Sequence, residues 1–152
     1  MEYKRFGNKI VVRMDMGEEI LEQLEAVALK ENIKLCSVSA LGATNDFTVG
    51  VYDVDKKFYK ANSFKGPHEI VSLTGSVNTM NGEFYSHIHM AAADGEGHTF
   101  GGHLTRATVC PTCEMFLDVI DGEVDRFHDD ATGLNLFKIN RHSPYLSITL
   151  HK

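Results

Sequence analysis

The chain has 152 residues, 43% hydrophobic and 24% charged, a composition that fits one globular domain able to bury a core of its own. Its formal net charge is −6 and its longest basic cluster is Lys56-Lys57, so no basic stripe of the kind that neutralises nucleic-acid phosphates is evident. With no apolar run near the roughly 18 residues of a membrane span, no secretory signal pattern, and three cysteines rather than a disulfide framework, the expectation is a cytoplasmic protein.

The first expected element is a strand, "KIVVRM" (Lys9–Met14). A helix follows over about residues 16–31, because Ile20, Leu21, Leu24, Val27 and Ala28 fall on one stripe. Asp15 with Glu18 three residues later reads as a capping box, and Asn32 as the stop. Strands are then expected at Lys34–Leu41, Asp46–Asp53, Lys57–Phe64 and His68–Val77. A turn over Asn78–Gly82, centred on Asn81-Gly82, leads into "EFYSHIHMAAA" (Glu83–Ala93). Asp94-Gly95 and Asp121-Gly122 mark further turns, while Cys113–Ile120 and Leu134–Ile139 read as strands. The fold class is α+β: one main amphipathic helix on a curved, largely antiparallel β-sheet, within a single domain spanning 1–152.

The stretch "HIHMAAADGEGHTFGGH", His87–His103, holds four of the eight histidines. Strand alternation places His87 and His89 on one face and Ile88 and Met90 on the other, and alternate residues are about 6.5–7 Å apart. Two imidazoles at that spacing reach one ion at about 2.0–2.1 Å from each nitrogen. The turn decides whether His103 joins them. A three-residue loop at Gly95–Gly97 places His103 opposite His89 and turns His98 away, with Gly97 in the left-handed position. A two-residue loop would put His103 beside Ile88 instead, and a bulge at Gly101-Gly102 would reverse either result. Those two glycines also leave room for a ligand or another backbone, which makes Gly101 and Gly102 candidate ligand-binding positions.

Three imidazoles leave a coordination position open, as in catalytic zinc sites, so the candidate metal is zinc or another divalent transition metal at His87, His89 and His103. If water takes that position, Glu69, Glu83 or Glu96 are the carboxylates that would act as base in a hydrolytic enzyme. Cys110 and Cys113 form a Cys-x-x-Cys, but the next residues alternate as a strand and the only other cysteine is Cys36. They read as sheet residues around a Pro111 bend. The glycines of "SALGAT" (Ser39–Thr44) and "LTGSV" (Leu73–Val77) read as bends or bulges.

Taken together and in order, "SALGAT", "HEIVSLTGSV", "HIHMAAADGEGHTFGGHL" and "DRFHDDATGLNLF" resemble the plants and prokaryotes conserved (PPC) domain, over roughly Lys9 to Ile139. The resemblance implies a curved antiparallel sheet with a helix, assembled as a homotrimer. In plants this domain follows an AT-hook that grips DNA. No Arg-Gly-Arg-Pro hook is present here, so DNA is a partner by family analogy alone. The plant segment Gly-Arg-Phe-Glu-Ile-Leu, linked to partner binding, corresponds to Gly66 and His68–Val71, with Pro67 in the basic position. Three functions follow as expectations: a trimeric metal-binding protein taking a small ligand at the open position, a DNA-associated regulator, and a metal-dependent hydrolase. No membrane partner is expected.

Overall fold

The computed structural model describes residues 1–139, so the last part of the domain expected over 1–152 lies outside the described residues. The elements run β1 (Glu2–Phe6), β2 (Lys9–Asp15), α1 (Ile20–Lys30), β3 (Cys36–Asp53), β4 (Phe58–Met80), β5 (Glu83–Ala93), β6 (Thr99–Val119), β7 (Asp125–Asp129) and β8 (Leu134–Lys138). Antiparallel sheet with a single helix dominates, the α+β class that the periodicities imply. Among the described residues no helix is long and apolar enough to cross a membrane.

The sheet closes on itself. β6 pairs with β3, β3 with β4, β4 with β5, and β5 returns to β6, so these four strands form a ring, with β2 and β1 extending from β6. Closure demands sharp bends, and these fall at register shifts between Ala40 and Gly42, Thr44 and Asp46, and Ile70 and Ser72. The same bends explain why strands expected separately at 34–41 and 46–53 are one strand, β3, and why 57–64 and 68–77 merge into β4. The glycine of "SALGAT" serves such a bend: a Cβ on Gly42 would lie 2.3 Å from the Thr112 carbonyl oxygen.

The helix starts later than expected. Residues 17–19 are captured by β6: Gly17 donates to the Val109 carbonyl (2.9 Å), Val109 donates to the Glu18 carbonyl (2.9 Å), and Glu19 bridges Thr108. Backbone groups so engaged cannot enter a helical ladder. The cap is therefore Glu19, whose carboxylate accepts from Glu22 N, rather than Asp15. Asp15 and Glu18 keep half of the expected box, with Asp15 N donating to Glu18 (2.8 Å). Asn32, at φ 51°, ends the helix as read, and Ile33 N reaches back to the Ala28 carbonyl (2.8 Å).

Ile20, Leu24, Val27 and Ala28 of α1 join Ile10, Val12 and Met14 of β2 in the core, together with Phe47, Leu73, Ile88, Met90 and Leu117 from the ring. Each large side chain buried this way contributes about 1.5–3 kcal/mol. Two strands were not foreseen, β1 and β7. β1 is almost wholly exposed, and β7 is short and pairs only with β8.

Candidate metal centre

The β5–β6 turn has the three-residue form. Asp94 N donates to the His98 carbonyl (3.0 Å), Gly97 N donates to the Asp94 carbonyl (3.0 Å), and Gly97 takes φ 84°. His89 then stands opposite His103. Ile88 and Met90 point into the core while His87 and His89 point out of it. The ring centroids are 5.1 Å apart for His87 and His89, 5.2 Å for His87 and His103, and 5.6 Å for His89 and His103.

One nitrogen from each ring lies within 4.8 Å of the other two. An ion held by all three would lie about 2.1 Å from each nitrogen. His68, His98 and His128 use ring nitrogens in hydrogen bonds to Gly66, Asp94 and Asn135, whereas the three clustered rings make no such bond with any described residue. Their lone pairs are thus free for a metal. Tyr59 fixes the third of them from behind, donating to the His103 carbonyl (2.9 Å) and meeting its ring edge-on at 5.8 Å.

Electrostatics favour the neutral form of His87 and His103. Desolvation by the surrounding walls, reinforced by His103, His89 and Arg126, pushes the His87 imidazole from its ordinary value of 6.5 down to about 4. His103 is lowered as well, by desolvation first and then by His89. Metal ligation requires the unprotonated ring, so these shifts favour binding at neutral pH. They also set a sign for stability. The folded protein binds fewer protons than the unfolded chain between pH 6.5 and 4, so the metal-free protein loses stability as pH falls through that interval. Its thermal midpoint should drop across that window, and His87→Ala should flatten the slope. An equal slope in the variant would contradict the shift.

The histidines form the floor of an open cleft of about 1000 Å³. Its walls include Tyr52, Tyr59 and Tyr85 from the ring, and Arg126, Leu134, Asn135, Leu136 and Phe137 from the β7–β8 hairpin. That hairpin is held over the ring by Tyr52, which donates to the Thr132 carbonyl (3.2 Å), by Lys57, which donates to the Asp130 carbonyl (2.7 Å), and by Thr79, which donates to Asp125 (2.9 Å).

The remaining expected residues sort out as follows. His98 lies with Asp94 and Glu96 at the exposed hairpin tip, where Asp94 Oδ1 accepts from the backbone of Glu96 and His98 (2.9 Å each) and so closes the turn. Gly102 lines the cleft and Gly101 does not. Both face other backbone: a Cβ on Gly102 would stand 2.4 Å from the Gly50 carbonyl oxygen, and one on Gly101 2.9 Å from that of Met90. Glu69, Glu83 and Glu96 are absent from the cleft walls. Cys36 and Cys113 are buried thiols, pushed up by desolvation to about 11 and about 12, which rules them out as ready nucleophiles. The residues not anticipated are Arg126 and the β7–β8 wall. A lone arginine in a charged segment carries no sequence signal of burial.

A family model described as the Plants and Prokaryotes Conserved domain matches residues 1–121. The structure of a metal-containing protein from Archaeoglobus fulgidus is 34% identical, with a TM-score of 0.81, covering 91% of this chain and 97% of that one. A protein from Bacteroides thetaiotaomicron, provisionally described as DNA-binding, is 27% identical, with a TM-score of 0.89 and coverage of 92% and 98%. Bifunctional protein GlmU of a Synechococcus strain is 29% identical over 139 residues, 88% of this chain, and the chain spans about 21% of that relative's length.

Proposed function

The chain belongs to the Plants and Prokaryotes Conserved domain family, and from that premise we propose that it is a homotrimeric metal-binding protein. In this reading residues 1–152 form one domain that holds zinc or another divalent transition metal at His87, His89 and His103. The remaining coordination position takes a small ligand. The observation that carries the reading is the convergence, on the floor of a cleft, of three imidazoles that make no ring hydrogen bond to any described residue. A relative described as metal-containing, at 34% identity, adds support. When bound, the metal supplies a Lewis-acidic position for a ligand oxygen or nitrogen. The chain's own residues aim the rings, with Tyr59 bracing His103. Hydrolysis would need a base within reach of the open position, and among the described residues no carboxylate lines the cleft, which supports binding over turnover.

The test is metal content of protein purified without a histidine tag. About one equivalent of a transition metal per chain is expected; less than about a tenth, unchanged by supplementation, would sink the reading.

The trimer has a seat of the right chemistry. Leu41, Val71 and Phe116 are 59%, 55% and 54% exposed. They lie on adjoining strands, since β3 pairs with both β4 and β6 around Ala40–Gly42. Exposed apolar neighbours of this kind mark contact surfaces. Phe116→Asp is predicted to convert a particle of three times the 16.9 kDa chain mass into a monomer by light scattering. A trimer that survives the change would place the interface elsewhere.

DNA association is the second reading, favoured by the description of the Bacteroides relative. The net charge of −6 opposes it. Random duplex left unshifted at low salt would eliminate it, because non-specific affinity is greatest there.

A further inference from the structure

The cleft has one charged wall residue among the described residues, Arg126. Only 6% of it is exposed. Its Nε donates to Asn78 Oδ1 (3.0 Å) and its Nη1 to the Asn135 carbonyl (2.6 Å). Tyr85 and Phe137 stack on the guanidinium at 4.6 and 4.3 Å. These contacts hold the group rigidly, yet all of its partners are neutral. No described carboxylate pairs with it, and Nη2 bonds to no described residue. Arg126 lines the cleft, and Nη2 is the guanidinium nitrogen that no described residue engages, so it is the edge a ligand there would meet.

A cation taken out of water without a counter-ion is costly, and a protein that fixes one beside an acid-free cleft is arranged for an incoming anion. A divalent metal bound at the three histidines would add positive charge to the same space. The rest of the wall includes Tyr52, Leu104, Leu134 and Leu136, surfaces suited to a hydrocarbon body. A volume of about 1000 Å³ is at the upper end for small-molecule sites.

We propose that Arg126 and the open position over His87, His89 and His103 form one receptor for a small organic carboxylate. One carboxylate oxygen takes the metal's open position, the other accepts from Arg126 Nη2, and the apolar body lies along the β7–β8 wall. With Nε and Nη1 already engaged, the guanidinium offers a single edge. That suits a carboxylate shared with the metal better than a phosphate, which would leave its remaining charged oxygens against the apolar wall.

This inference rests on the metal reading, and the test separates the two. Metal content is measured first, on wild type, Arg126→Gln and Arg126→Lys. Benzoate, its neutral analogue benzamide, and inorganic phosphate are then titrated by calorimetry into zinc-loaded protein. Benzoate should bind the wild type at least about 10-fold more tightly than benzamide or phosphate, and should lose about 10–100-fold in whichever arginine variants fold and keep their zinc. Equal binding of benzoate and benzamide to the wild type overturns the proposal even if neither variant folds. Unchanged benzoate affinity in a zinc-loaded variant overturns the role of Arg126, and preferential phosphate binding overturns the carboxylate assignment. A wild type that takes up no zinc refutes the metal reading itself and the bridged ligand with it.

Discussion

Alanine at position 103 is expected to lower metal affinity by at least about 100-fold while the ring of strands stays folded. Losing even an outer-shell partner of a ligand costs about 10–100-fold, and His103 is proposed as one of only three direct ligands. The fold should tolerate the loss because the Tyr59 hydrogen bond at this position is made to the His103 backbone carbonyl, which alanine keeps. Competition against a chromophoric chelator reads the effect. His98→Ala is the matched control, since His98 sits at the hairpin tip with Asp94 and Glu96. If the control loses as much metal as His103→Ala, or if His103→Ala loses none, the three-histidine assignment is wrong.

The second large effect is on stability. Gly102 lies where β6 passes close to β3, and an added Cβ would approach the Gly50 carbonyl oxygen to 2.4 Å. Gly50 has no room to retreat, because its own Cα faces the Lys60 carbonyl oxygen of β4 at a distance that would be 2.3 Å from a Cβ. Three backbones therefore pack closely here, with the Tyr59 ring also against Gly50, one residue from His103. Gly102→Ala is expected to cost about 3 kcal/mol, the upper range for overpacking, because backbone cannot rotate aside as a side chain can. Gly95→Ala, in the same hairpin with open space around it, should lie within about 0.5 kcal/mol of wild type. Urea midpoints for the two variants measure the difference. Equal midpoints would mean that β6 and β3 do not meet as described.

The contrast between these glycines shows what the sequence could reveal. Gly97 was legible because a left-handed residue closing a short hairpin loop is local chemistry, and from it followed the pairing of His89 with His103. The helix stripe and its stop at Asn32 were local as well. Gly102 was ambiguous between ligand and backbone contact, since its neighbour Gly50 is remote in the chain and joins it only when the sheet closes. Ring closure itself leaves no periodic mark. Bends at Ala40–Gly42 and Thr44–Asp46 look in sequence like the ends of separate strands. The late start of α1 had the same origin, a pairing of Glu19 with Thr108 far along the chain. Arg126 is the extreme case. Its burial depends on Asn78, Tyr85, Asn135 and Phe137, contributed by three separate strands, β4, β5 and β8.

The metal reading makes the β5–β6 turn the decisive element. A one-residue change in loop length would move His103 to the core side and leave two ligands, too few for the open-site geometry. Anomalous diffraction at the zinc edge, from crystals of untagged protein, tests this most directly. The prediction is a peak about 2.1 Å from one ring nitrogen each of His87, His89 and His103. No peak among those rings, or a peak only at Asp94, Glu96 and His98, would contradict it.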